Sequence, residues 1–191
     1  MTIHELAIGC RTYRRFEQEP VPEEIVREAL ENARIAASAG NQQPLRFVVI
    51  QSPEKLAEMQ TMVHWAALLP KEIGTPVEGE QPTLFIVIEK AKKNIPSGEY
   101  DIGIACDRIG LTMWEHGFGS CIIANIEKKR IHELIGTPEE FEARVVMGIG
   151  KPQHKSTIVD LPESGETKYY VDEKRDYYVP KRAFDDIVRF L

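Results

Sequence analysis

Hydrophobic residues fall along this chain in two rhythms, one helical and one extended. Residues 2–10 carry a short first helical pattern, and Pro20 and Pro22 then punctuate a turn. Pro22 suits the first turn of a helix, and Glu23 and Glu24 suit its positive N-terminal end. Apolar residues from Ile25 to Ala37 recur at helical spacing. They predict a helix ending near Ser38-Ala39-Gly40, where glycine takes a left-handed cap. Phe47–Ile50 and Thr83–Ile88 are unbroken apolar runs and predict buried strands. Between them, Ser52 and Pro53 open a helix reaching about Val63, and residues 64–82 keep no rhythm. Asp101–His116 is the longest helix, apolar on most sides, which buries it within the domain or at a subunit interface. Gly117-Phe118-Gly119 ends it, Ser120–Ala124 is a third strand, Glu127–Ile135 a short helix and Arg144–Gly150 a fourth strand. A polar stretch with little pattern runs to about Val179, and Lys181–Phe190 closes the chain as a short helix.

Strands and helices alternate with connections of very unequal length, which favours a mixed α+β sheet over a regular doubly wound one. A length of 191 residues, with no repeat or low-complexity linker, is expected to form one domain over residues 1–191. The net charge of −6 leaves no basic excess for nucleic-acid phosphates, so no nucleic-acid partner is expected. The first residues have no basic leader pattern. No stretch approaches the roughly 20 apolar residues that cross a bilayer, so no membrane association is expected.

Cys10, Cys106 and Cys121 are odd in number and fit neither a CxxC pair nor a zinc site; they read as reduced thiols of a cytoplasmic protein. The five histidines are scattered, with no HExxH, so no metal site is expected. Gly117-Phe118-Gly119 lacks the third glycine of a dinucleotide fingerprint, and Gly148-Ile149-Gly150-Lys151 lacks the first half of a phosphate loop. Both read as turns.

Local cations in an acidic chain need local reasons. Arg11-Thr12-Tyr13-Arg14 offers two guanidinium forks and a hydroxyl, donors that match phosphate oxygens; it also fits a solvated basic turn at a helix end. Asn41, Gln42 and Gln43 before Pro44 are either a polar loop or amides that donate to and accept from the edge of a pyrimidine-like ring. Lys181-Arg182 alone says little. Should these segments meet, they form one site for a phosphorylated cofactor.

Taken in order, several segments resemble the nitroreductase family of FMN-dependent oxidoreductases. They are Arg11-Thr12-Tyr13-Arg14-Arg15-Phe16, Pro20-Val21-Pro22-Glu23-Glu24, Ala36-Ala37-Ser38-Ala39-Gly40-Asn41-Gln42-Gln43-Pro44, and Tyr100-Asp101-Ile102-Gly103-Ile104-Ala105. Gly117-Phe118-Gly119-Ser120-Cys121, Met147-Gly148-Ile149-Gly150-Lys151-Pro152 and Pro180-Lys181-Arg182 follow in the same order. The resemblance runs from about residue 5 to the C-terminus. It departs at Cys10, where a basic residue is common, and at Ala37 and Leu45.

The resemblance implies a three-layer α+β sandwich, a central, mostly antiparallel sheet flanked by helices. It implies a homodimer with flavins at the interface. Arg11, Thr12 and Arg14 would hold the FMN phosphate and ribityl chain, and Lys181 and Arg182 would return to the phosphate. Asn41 and Gln43, with Ser38 beside them, would contact the flavin or ribityl chain from the neighbouring subunit. The backbone around Ile122, Ile123, Ala124 and Asn125 would lie against the ring, and His64, Trp65 and Leu68 either line the substrate side or form a local apolar cluster. Arg46 and Lys151 are candidates for the cation that tunes the ring.

The implied activity passes electrons from NADH or NADPH through flavin to a small-molecule acceptor, a nitro compound, quinone or relative, in a ping-pong sequence. The flavin carries the chemistry, so no catalytic side chain is required. The alternatives are a flavin-binding or flavin-handling protein without such turnover, and a non-enzymatic dimeric module.

Overall fold

The computed structural model describes residues 2–93, 95 and 97–191. In chain order, α1 (Ile3–Gly9), β1 (Phe16–Glu17) and α2 (Glu23–Arg34) are followed by β2 (Leu45–Ile50), α3 (Pro53–Gln60) and a single turn, α4 (Lys71–Gly74). Next come β3 (Leu84–Ala91), α5 (Gly98–Glu115), β4 (Gly119–Ile123), α6 (Lys128–Ile135) and β5 (Phe141–Pro152). The chain ends with β6 (Ser156–Asp160), β7 (Tyr170–Val171), β8 (Tyr177–Lys181) and α7 (Phe184–Ile187).

The central sheet is antiparallel throughout. Its order is β1-β5-β3-β2, with β4 pairing on β5 beside β1. β3 lies between β2 and β5 and is covered on both faces, which is why Leu84–Ile88 reads as an unbroken apolar run. Leu84, Ile86 and Ile88 enter the layer built with α2 and α5. Phe85 and Val87 point the other way, into the layer of Met59, Trp65 and Ile131. Each such fully buried side chain contributes roughly 1.5–3 kcal/mol, more than strand propensity alone supplies. The fold is therefore the expected α+β sandwich of three layers.

Several expectations need correction. α2 stops at Arg34, not near Gly40, because its buried stripe ends at Ala33 and the Ser38 hydroxyl is engaged elsewhere. Gly40 does take the left-handed conformation, but in a separate turn over Ala39–Asn41. Pro22 occupies the position before the first helical residue. β2 is an edge strand in which only Ile50 is fully buried. α3 ends at Gln60, so Val63 is free to bridge Ile126. Gly148 and Gly150 form no turn; they lie inside β5, where a β-carbon would come within 2.9 Å of Trp65 and of Phe16 respectively. The stretch after residue 152 contains a second, three-stranded sheet, and Lys181 ends one of its strands. The last helix spans only Phe184–Ile187.

In that small sheet β8 pairs β6 in parallel and β7 antiparallel. Two arginines fasten it to the main body. Arg175 donates to both Glu80 carboxylate oxygens, at 2.8 and 3.1 Å, and Arg15 donates to the Arg175 carbonyl at 2.8 Å. Burial pushes the Glu80 carboxyl up, but Arg175 and Arg15 outweigh that and hold it below the usual carboxylate range.

Elsewhere, Glu89 sits inside the sheet at the irregularity between Ile88 and Glu89, with its side chain 1% exposed. Neither of its oxygens meets a hydrogen-bond donor among the described residues, and Arg46 approaches only to 3.8 Å. No helix among the described residues is long and apolar enough to cross a membrane.

Candidate functional site

The Arg11–Arg14 segment enters the fold as an irregular edge. Thr12 bridges Ser120 at the start of β4, and the Tyr13 N–H donates to the Ser120 carbonyl at 2.9 Å. Tyr13 turns inward and stacks on Trp114 with ring centroids 5.1 Å apart. Gly119 makes this possible, since a β-carbon there would stand 2.5 Å from the Tyr13 ring. With Tyr13 committed to the core, its neighbours Thr12 and Arg14 face a cavity of about 380 Å³.

That cavity collects Arg11, Thr12, Arg14, Ile122 and Lys181 from three distant parts of the chain. Its floor is α5, where Cys106 and Gly110 stand four residues apart on one helix face. Asp107 is the acidic group in the lining, set against three cations. Arg11 is partly occupied: its guanidinium caps α1 through the Ala7 and Cys10 carbonyls, at 2.9 and 2.8 Å. Arg14 has no carboxylate partner among the described residues. Its guanidinium lies over the rings of Tyr169 and Tyr177, at 4.8 and 5.0 Å, and its Nε is buried without an acceptor. A buried guanidinium edge that lacks an acceptor, beside a hydroxyl and a lysine, suits an anionic oxygen.

His154 holds the Arg14 backbone. Its Nε2 accepts the Arg14 N–H at 3.0 Å, and its Nδ1 lies 3.0 Å from the Lys155 carbonyl. That pairing satisfies both nitrogens of the neutral ring. Burial, above all, pushes the imidazole down to about 4, and Arg15 and Arg14 push the same way. Burial shifts the thiols as well, upward: Cys106 to about 12, Cys121 to about 11, and Cys10 above its ordinary value. All three are free, but none is prepared as a nucleophile.

A second cavity, of about 210 Å³, shares Arg14, Ile122 and Tyr169 with the first. Ile123, Ala124 and Asn125 form one side of it, and His64 and Trp65 the other. Leu68 is exposed and outside this lining. Trp65 settles against the sheet because Gly148 leaves room beneath its ring. The 64–67 segment is held over β4 by the His64 N–H, which donates to the Asn125 carbonyl at 3.0 Å.

Ser38, Asn41 and Gln43 do not join this pair of cavities within one chain. Ser38 donates to Asp101 in the first turn of α5 at 2.7 Å, and accepts the Gln43 N–H at 3.0 Å. Ser38 and Gln43 line a separate hollow of about 90 Å³. Asp101 stands five residues before Cys106 and nine before Gly110 on α5, so this loop sits about 7–13 Å along the helix from the cavity floor. Asn41 and Arg182 are exposed and line neither cavity. Lys151 is paired with Glu19 at 2.6 Å, and Arg46 lies over Phe141, so neither ring-tuning candidate faces the cavities.

Sequence reasoning missed Tyr169, Tyr177 and His154, which surround Arg14. They fall in the stretch without rhythm, and no local signal marks them. Cys106 and Gly110 did carry a signal, two small residues four apart on a helix, which marks a face where something approaches closely.

Comparison with known proteins places this geometry. The nitroreductase family model matches residues 9–151. An NADH dehydrogenase of Thermus thermophilus is 26% identical over 175 residues, 76% of this chain and 84% of its own length. An iodotyrosine deiodinase of Thermotoga neapolitana is 24% identical over 166 residues, 78% of this chain and 88% of its own. Among solved structures, the FMN-dependent nitroreductase of Clostridium difficile R20291 superposes with a TM-score of 0.66 at 23% identity, covering 81% of this chain and 90% of that one.

Proposed function

The chain belongs to the nitroreductase family, and from that premise we propose that it is an FMN-dependent oxidoreductase. It takes electrons from NADH or NADPH and delivers them to nitro, quinone or related acceptors in a ping-pong sequence. One observation carries the reading. Arg11, Thr12, Arg14 and Lys181 meet at one cavity, which shares Arg14, Ile122 and Tyr169 with a second cavity beside Ile123–Asn125. The first has the donors for a phosphate, and the second continues from it along the backbone where a ring would lie.

Bound FMN would supply reversible hydride and electron transfer. The residues of this chain bind, orient and shield it. Arg14 and Lys181 hold the phosphate, with Arg11 at the rim and Thr12 donating its hydroxyl. The side chain of Ile122, 55% exposed, lies at the junction of the two cavities and keeps that passage apolar. The backbone from Ile123 to Asn125 borders the ring. The buried cysteines take no part.

The enzyme works as a homodimer in which Ser38, Asn41 and Gln43 reach the partner's flavin. The exposed positions of Asn41 and Gln43, along α5 from their own cavity, support this. The whole chain acts as one FMN-binding domain, because β8 and the residues before β7 supply Lys181 and Tyr169 to the same cavity. Free thiols suit a reducing compartment, so we assign it to the cytoplasm.

Spectra of the purified protein and titration of its apo form with FMN test the cofactor. A colourless protein that takes up no added FMN rules the reading out. NAD(P)H oxidation with nitroaromatic and quinone acceptors separates an oxidoreductase from a flavin-handling protein. An iodinated tyrosine belongs in that panel, because one relative is named a deiodinase.

A further inference from the structure

One side chain borders more space than the proposed function uses. Tyr169 lines both cavities of the site and also a third, of about 350 Å³, on its far side. This outer cavity lies beside Leu69, Glu166, Lys168 and Val171. It has no member in common with the other two except Tyr169.

Tyr169 belongs to residues 161–169, the run that links β6 to β7 beyond the residues matched by the family model. No residue of that run is fully buried. Within it, the Gly165 N–H donates to the Pro162 carbonyl, and at its start the Leu161 N–H donates to Lys181. The ring itself is fixed from inside. Arg14 lies 4.8 Å from its centroid, and the Tyr177 ring is 6.0 Å away on a β8 that is buried at that point. A loosely tied segment thus presents one firmly seated aromatic side chain, at the junction of three cavities.

We propose that Tyr169 is a specificity-determining residue, a wall whose ring separates the cofactor's two cavities from the outer cavity. This inference rests on the FMN reading above. Acceptors come from the outer cavity and pass the edge of the ring, so flat single-ring molecules are admitted and fused two-ring molecules are held back. The outer cavity, about 350 Å³, lies at the small end of the roughly 300–1,000 Å³ range of small-molecule pockets, which suits one-ring acceptors.

The test compares the FMN-loaded wild type with Tyr169→Ala and Tyr169→Phe, using a one-ring and a two-ring quinone as acceptors. The ratio of kcat/KM for the two-ring over the one-ring quinone rises at least about tenfold in the alanine variant and stays at the wild-type value in the phenylalanine variant. A purely structural role would lower both acceptors alike and leave the ratio unmoved. Acrylamide quenching of the bound flavin's fluorescence becomes steeper in Tyr169→Ala and not in Tyr169→Phe. Should the alanine variant fail to fold, Tyr169→Leu gives a smaller rise in the same direction. Variants that bind FMN yet keep the wild-type ratio and quenching overturn the wall alone. A wild-type protein that takes up no FMN overturns the wall and the cofactor reading together.

Discussion

Two polar segments of this chain look alike in sequence and fold by opposite rules. Arg11–Arg14 is assembled by its surroundings: Thr12 and Tyr13 pair with Ser120, Tyr13 stacks on Trp114, and His154 receives the Arg14 N–H. Its cavity draws Arg11, Thr12, Arg14 and Lys181 of one chain together. Ser38–Gln43 is built almost entirely from itself, through Ser38, Gln43 and one aspartate of α5. It is also strained. Asn41 and Gln43 hold φ of 52° and 45°; asparagine tolerates this left-handed region, whereas at Gln43 it costs about 1–2 kcal/mol. The difference separates a cavity assembled by the packing around it from a segment held mainly by its own hydrogen bonds.

The steepest way to break the assembled side is acid. The folded-state value of His154, about 4, lies below the roughly 6.5 of an unfolded histidine, so the unfolded chain takes up the proton first as pH falls. This contribution to stability is full above about pH 6.5 and is lost progressively between about 6.5 and 4, by roughly 3 kcal/mol. Urea midpoints across that range are expected to fall, and His154→Gln to flatten the decline. An equally steep decline in the variant would assign it to other groups.

Next in size is Arg14→Ala, which removes the cavity cation whose buried Nε lacks an acceptor. FMN affinity should drop by about 2 kcal/mol, roughly thirtyfold, in a fluorescence titration. An unchanged affinity would take Arg14 out of the phosphate site. Gly119→Ala presses on the Tyr13 ring and should cost about 1.5 kcal/mol in thermal unfolding, with the 38–43 loop untouched. The smallest effect on folding belongs to Gln43→Gly. It relieves the left-handed strain but adds unfolded-state freedom, so stability should move by less than about 1 kcal/mol while FMN affinity falls. A large loss of stability instead would mean that Gln43 serves its own fold.

Much of the main body was legible in the sequence. Thr83–Ile88 announced a strand covered on both faces, and the apolar run from Asp101 announced α5, because burial on many sides leaves few polar positions. The helix end near Gly40 misled, since the Ser38 hydroxyl captures two partners that no propensity records. Gly148 and Gly150 misled for a related reason. They are small to admit Trp65 and Phe16, not to turn the chain. The small sheet was invisible because β6 and β8 pair in parallel across twenty residues, which leaves no hairpin signature. At the site, the cations were legible by type. The aromatic and imidazole groups that aim Arg14 were not, because their role depends on which cation they meet.

Glu89 has a consequence for heat tolerance. A carboxylate enclosed in the sheet with neither oxygen bonded among the described residues, and Arg46 no nearer than 3.8 Å, is dehydrated without full compensation. Exchanging it for an apolar side chain of similar volume is commonly neutral or stabilising by about 1–4 kcal/mol. Glu89 lines none of the three cavities around Arg14 and Tyr169. Thermostability can therefore be altered at Glu89, on β3, independently of those cavities.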